Sequence, residues 1–129
     1  MYTDTYMGKK VELNENRNNM AIKIHLLPEE KMREIGFTDH NPTTWYFCKY
    51  GMGGDDDISF NLSIKKDNPS DWKIDILDEN FLQPYDYQMM IAQHTRNDLP
   101  FAVQKDVEKW MQYLEDADIL SGHIYGEYI

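Results

Sequence analysis

The segment that decides the fold is ISFNLSI, residues 58–64, in which apolar and polar residues alternate without interruption. Successive side chains on a β-strand point to opposite faces, so the alternation gives this segment one apolar face and one polar face. This pattern is typical of an antiparallel sheet with a core on one side. The residues on the apolar face are Ile58, Phe60, Leu62 and Ile64.

Two further strand patterns flank this segment. The segment 44–50 carries aromatic residues on both faces, which indicates a central strand or one covered on both sides. The segment 72–77 alternates again. Polar turns at 51–57 and 66–70 join the three strands, and links this short predict an antiparallel meander. The inward side chains of the third strand are Trp72, Ile74 and Ile76.

Helical patterns lie on both sides of the meander. Pro28 and the acids after it begin a short helix that Gly36 ends. A second helix is expected to open with Gln83 and to run to about His94. The strongest helical periodicity comes last and ends near Asp118. Its inner face consists of Val103, Val107, Trp110, Met111 and Leu114.

The ends of the chain carry weaker signals. Residues 1–19 are polar and predict a flexible N-terminal tail. The alternation at 21–26 predicts a half-buried strand that could extend the meander, whereas 38–42 is typical of a loop. The segment 119–129 is interpreted as a final strand or ordered coil. The prediction is therefore a single α+β domain, residues 20–129, with a three-stranded antiparallel meander packed against C-terminal helices.

Composition narrows the class of protein. A chain of 129 residues with 41% hydrophobic residues can form one ordinary core. The single cysteine, Cys48, excludes a disulfide framework. No apolar run approaches the ~18–20 residues that a membrane span requires. The first residues lack the apolar stretch of a signal peptide, so a cytoplasmic location is expected.

The charge is unevenly distributed along the chain. The net charge is −10, yet residues 1–50 hold seven acids and seven bases. Residues 51–129 hold sixteen acids and six bases, which accounts for the whole imbalance. Such a surface repels nucleic acid phosphates and attracts basic proteins. The alternative interpretation is that the acids serve solubility alone.

No motif predicts catalysis, a cofactor or a metal site. Asp75, Asp78 and Glu79 resemble nuclease carboxylates only loosely, because no Glu-x-Lys follows on a strand. The four histidines are scattered without the spacing of a zinc site. Cys48 has no identifiable base with an orienting partner, which a nucleophile requires. We therefore predict no enzymatic activity.

Acidic residues near the strand turns and along the last helix predict a protein-binding surface. Carboxylates spaced on a surface can imitate the phosphates of a duplex and occupy a basic nucleic-acid channel. Tyrosine also suits interfaces, and five are candidates: Tyr85, Tyr87, Tyr113, Tyr125 and Tyr128. The predicted partner-binding acids are Asp55, Asp56, Asp57, Asp78, Glu79, Glu108, Glu115, Asp116 and Asp118.

Four segments, 36–40, 45–48, 59–61 and 83–87, together resemble short uncharacterised proteins of Gram-positive phages and mobile elements. The resemblance covers about half of the chain and carries no activity with it. The order of elements, a helix, a meander and two helices in an acidic chain, is similar to that of a small anti-CRISPR inhibitor of Cas9. That similarity is architectural, and fold order alone is weak evidence for function.

These patterns together predict a non-enzymatic, acidic phage-type accessory protein that binds another macromolecule. Its most specific form is a DNA-mimic inhibitor of a host nuclease such as Cas9. The partner is then a basic protein surface, with no direct contact to nucleic acid or membrane. Two alternatives stay open: a small metal-dependent hydrolase with an unrecognised site, and a homo-oligomeric structural module.

Overall fold

Strand β4, Ile58–Lys65, is the middle strand of a five-stranded antiparallel sheet in the computed structural model, which describes residues 22–123. Strands β3, Thr44–Tyr50, and β5, Asn68–Asp78, pair with it on either side. The predicted meander and the α+β class are therefore confirmed. The predicted tail, residues 1–19, lies outside the described residues.

The two outer strands of this sheet were not predicted. Strand β2, Thr38–Asn41, pairs with β3, and β6, Gln83–Pro84, pairs with the end of β5. The prediction of a loop at 38–42 was wrong, because pairing with an aromatic neighbour outweighs the polar sequence. Asn41 completes the tight turn, since its Oδ1 accepts the backbone N–H of Thr43 at 2.9 Å.

The turn between β4 and β5 is shorter than predicted. Lys65 pairs with Asn68, so only two residues form the turn, and the prediction of a turn over 66–70 was wrong. Ile64 already pairs with Trp72, which leaves the residues between Asn68 and Trp72 as a bulge in β5. Pro69 lies in that bulge, where its missing N–H does not break the ladder.

The predicted N-terminal strand does not extend the meander. Strand β1, Lys23–Ile24, pairs with β7, Leu120–Ser121, in a separate two-stranded sheet. Within the described residues the predicted alternation is confirmed: Ile22 and Ile24 are buried and Lys23 is exposed. Strand β7 confirms a strand at the start of the predicted segment 119–129, of which residues 124–129 lie outside the described residues.

Within residues 22–123 the α-helices are α1, Glu29–Ile35, α2, Tyr87–Ala92, and α3, Leu99–Asp116. Gly36 ends α1 at a φ of 124°, a conformation that favours glycine. Helix α2 is shorter than predicted, because Gln83 and Pro84 pair with β5 instead. Within residues 22–123, no helix has the length and apolar character needed to cross a membrane.

The core lies on one side of the large sheet. Phe60 and Leu62 of β4 are fully buried, as are Val103 and Leu114 of α3. Phe47 of β3 forms the centre of an aromatic cluster, with ring centroids 5.1 to 6.2 Å away. Its partners are Phe37, Phe60, Trp110 and Tyr113.

The other side of the sheet carries polar and exposed residues. Tyr46, which points away from the core, is 43% exposed, and Tyr50 is 65% exposed. Strand β3 lies between β2 and β4, so the predicted alternative of a central strand is confirmed, whereas within residues 22–123 it is covered on one side only.

Replacement of Phe60 with alanine should destabilise the protein by roughly 3–5 kcal/mol, since the ring is fully buried and its loss leaves a cavity. Tyr46→Ala, an exposed aromatic of the same sheet, is the matched control and should cost far less. Chemical denaturation of both variants measures the difference. Equal losses would contradict the placement of the core.

Candidate partner-binding surface

The register of β4 and β5 gathers five of the predicted acids at one end of the large sheet. Ile58, the first residue of β4, pairs with Asp78, the last residue of β5. The backbone N–H of Glu79 donates to the carbonyl of Asp57 at 2.7 Å, which joins the two loops beyond that pair. We call this group the acidic end; its members are Asp55, Asp56, Asp57, Asp78 and Glu79.

Two of these carboxylates fix their own loops. Asp55 Oδ1 accepts the N–H of Asp57 at 2.9 Å, and Asp78 Oδ1 accepts the N–H of Asn80 at 3.1 Å. Such turns are typical of aspartate. Burial raises the pKa of Tyr85, and the charges of Asp55 and Asp78 raise it further. Both carboxylates therefore lie near the same phenol although they come from different loops.

A short 3₁₀ turn, Met52–Gly54, holds the first of these loops against α3. Met52 is buried in the core, and the N–H of Gly53 donates to Asp106 Oδ2 at 2.7 Å. A Cβ on Gly53 would lie 2.9 Å from Val103 Cγ2, so only glycine allows this approach. Asp106 was missed in the sequence because nothing local links it to a turn 53 residues earlier.

The other four predicted acids belong to the second half of α3 and its end. At 3.6 residues per turn, Glu108 lies on the opposite side of α3 from Asp106. At a rise of 1.5 Å per residue, Asp116 lies about 15 Å from Asp106 along the helix axis. Burial lowers the pKa of His123, and the charges of Glu108 and Glu115 oppose that shift, so both lie near this ring. The structure thus brings five acids together and places Glu108, Glu115, Asp116 and Asp118 elsewhere.

The acidic end has no ion pair within residues 22–123. The salt bridges within this range lie elsewhere: they join Lys31 to Glu34, Arg33 to Glu29 and Asp39, and Lys73 to Asp75. No three His, Cys, Asp or Glu side chains of this range are grouped to hold a metal ion. Asp56 and Asp57 are exposed, whereas Asp55, Asp78 and Glu79 are half-buried and accept hydrogen bonds.

The loop between β5 and β6 adds two exposed apolar residues that the sequence reasoning missed. Phe81 is 67% exposed and Leu82 is 86% exposed. Leu82 also has a φ of 53°, which glycine or asparagine adopts more readily than leucine. The signal available was a pair of large apolar residues inside an otherwise polar turn.

The open side of the sheet carries a hydrogen-bonded polar group beside the acidic end. Ser59 Oγ donates to Glu79 Oε2 at 2.7 Å and accepts from Asn61 Nδ2 at 2.9 Å. Tyr50 pairs with Ser59 across the strands, and Cys48 pairs with Asn61. Because the Ser59 side chain is fully buried, its hydroxyl serves to orient Glu79 and is closed to a substrate.

The environment of Cys48, whose residue is exposed, raises the pKa of its thiol. Burial raises the pKa of its thiol, the charge of Glu79 raises it further, and a hydrogen bond from Tyr50 acts in the opposite direction. A thiol with a raised pKa carries less thiolate near neutral pH and is a poorer nucleophile.

The predicted interface tyrosines have different environments. Tyr87 is buried in the core and Tyr85 is half-buried, so neither is an open contact residue. Tyr113 is exposed at the other end of α3 from the acidic end. Tyr125 and Tyr128 lie outside the described residues.

The fold and surface define an α+β protein with a one-sided antiparallel sheet and an acidic end. No family model matches the chain, and no curated protein matches it. Among solved structures, a DUF1831 family protein from Lactobacillus plantarum is similar over 77% of this chain and 82% of its own. The TM-score is 0.59 and the sequence identity 11%, so the similarity shows a shared fold alone.

Gly53→Ala should destabilise the protein more than Gly54→Ala. Both glycines have positive φ, so alanine strains both by about 1–2 kcal/mol. Only at Gly53 does the new Cβ meet α3, which adds roughly 1–3 kcal/mol of overpacking. Thermal or chemical denaturation of the two variants measures the difference, and equal losses would show that the turn does not rest on the helix.

Alkylation of Cys48 by iodoacetamide should be slower at neutral pH than that of an unstructured cysteine peptide. Its rate should rise to a plateau at a higher pH than the peptide's, because only the thiolate reacts and the pKa of Cys48 is raised. Glu79→Gln should move this profile to lower pH. A profile at or below that of the peptide would contradict the assigned environment.

Proposed function

We propose that this protein acts by binding a basic surface of another protein through the acidic end, and that it is not an enzyme. One observation carries the proposal: five carboxylates from two loops meet at one end of the sheet, and none of the salt bridges within residues 22–123 involves them. Uncompensated like charges repel each other, and a partner with lysine or arginine at these positions relieves that repulsion.

The structure supports the acidic end as a built surface. Asp55 and Asp78 form turns within their own loops, and Glu79 is oriented by Ser59. Charges held in place lose less conformational entropy when they bind than charges on free side chains. A surface that served solubility alone would not need its carboxylates to be held in place in this way.

The most specific form of the proposal is that the acidic end occupies the nucleic-acid channel of a host nuclease such as Cas9. The two loops that carry these carboxylates leave neighbouring strands, which lie about 4.8 Å apart, so the charges of both loops can enter one basic groove. The test of this form is DNA cleavage by a purified Cas9–guide RNA complex at rising concentrations of the protein.

Neutralisation of Asp55, Asp56 and Asp57 to asparagine should weaken capture of a basic host protein. Asparagine keeps the Oδ1 acceptor that the Asp55 turn requires, so the fold should be retained. The loss should appear mainly in the association rate, by roughly tenfold or more at low salt. It should shrink at physiological salt, where charges are screened beyond about 8 Å.

The matched control removes three charges from α3 and its end, as Glu115→Gln, Asp116→Asn and Asp118→Asn. Pull-down from a host lysate at low and high salt compares both triple variants with the wild type. The partner must be basic, and the control variant should retain it. Equal retention by both triple variants would show that the acidic end is not the binding surface.

A further inference from the structure

We propose that Phe81 and Leu82 form an apolar anchor that the partner buries, so that the partner carries an apolar pocket bordered by lysine or arginine. This inference rests on the proposed function and names the class of partner more closely. A row of carboxylates alone would fit any polycation. An apolar anchor beside those carboxylates fits a folded protein surface.

The first support is exposure. Phe81 and Leu82 are 67% and 86% exposed, the highest values among the large apolar side chains exposed in residues 22–123. They are also adjacent in the chain and lie in the same loop, between β5 and β6. Large apolar side chains exposed together to water are a feature of protein–protein interaction sites.

The second support is how the loop is built. Its first two residues are fixed, because the N–H groups of Glu79 and Asn80 donate to Asp57 and Asp78. Leu82 has left-handed backbone at φ 53°, where asparagine or glycine would be less strained. A leucine in that conformation, almost fully in water, gains nothing for the fold, and strain of this kind is found at binding sites.

The third support is charge. The anchor follows directly after Asp78 and Glu79, and the loop of Asp55, Asp56 and Asp57 is hydrogen-bonded to its base. A second copy of this chain would bring two acidic ends together, and an anionic membrane surface would also be repelled. The occupant that satisfies both the apolar tip and the acids is a basic protein with an apolar pocket.

Two peptides of equal length and charge test this inference, one alternating lysine with leucine and the other lysine with serine. Fluorescence anisotropy measures their affinity for the whole chain. The wild type should bind the leucine peptide about tenfold more tightly, because apolar burial adds to the shared charge attraction. The double variant Phe81→Ser, Leu82→Asn should bind both peptides equally, at the wild-type affinity for the serine peptide.

Controls separate the anchor from the charges and from other apolar sites. Tyr46→Ser removes an exposed aromatic elsewhere on the sheet and should leave the leucine preference intact. The triple variant at Asp55, Asp56 and Asp57 should weaken both peptides and retain the preference. Circular dichroism checks that each variant is folded; asparagine tolerates the backbone at position 82.

The outcomes are distinguishable. Salt-dependent binding of both peptides without a leucine preference would overturn the anchor and leave the proposed function standing. A preference that survives the double variant would also overturn it, because the apolar contact would then lie elsewhere. Failure of the wild type to bind either peptide would overturn the charge-based proposal and the anchor with it.

Discussion

The pairing register of β4 is the constraint on which the rest of the structure depends. Its apolar face is fully buried at Phe60 and Leu62, and a slip of one residue would turn that face to water. The same register sets Ile58 against Asp78 and therefore brings two loops, 20 residues apart in the chain, to one end of the sheet. Core burial thus also determines where the acids meet.

The meander, the α+β class and the last helix could be predicted because each has a strong period. Strands β2 and β6 could not, since one is polar and the other is only two residues long with a proline. Their pairing partners are selected by the folded sheet and leave no local pattern. The pairing of β1 with β7 likewise depends on where the two ends of the domain meet.

The candidate site was predicted only in part. Alternation and turn composition located the acids in the sequence. Their grouping at one end of the sheet could be known only from the strand register, and the side of α3 on which Glu108 lies could be known only from the orientation of that helix. Asp106 and the buried Met52 became visible only through long-range packing. Phe81 and Leu82 could have been predicted as exposed, because large apolar residues in a polar turn are unusual, but they directly precede Gln83, where a helix was expected.

The central claim is that one acidic end, and not the whole acidic surface, meets positive charge. Amide NMR of the labelled protein during titration with a lysine–serine peptide tests it directly. The account predicts shift changes concentrated at residues 53–58 and 77–83, with little change at 108–118. Changes spread evenly over the exposed acids, or strongest along 108–118, would contradict it.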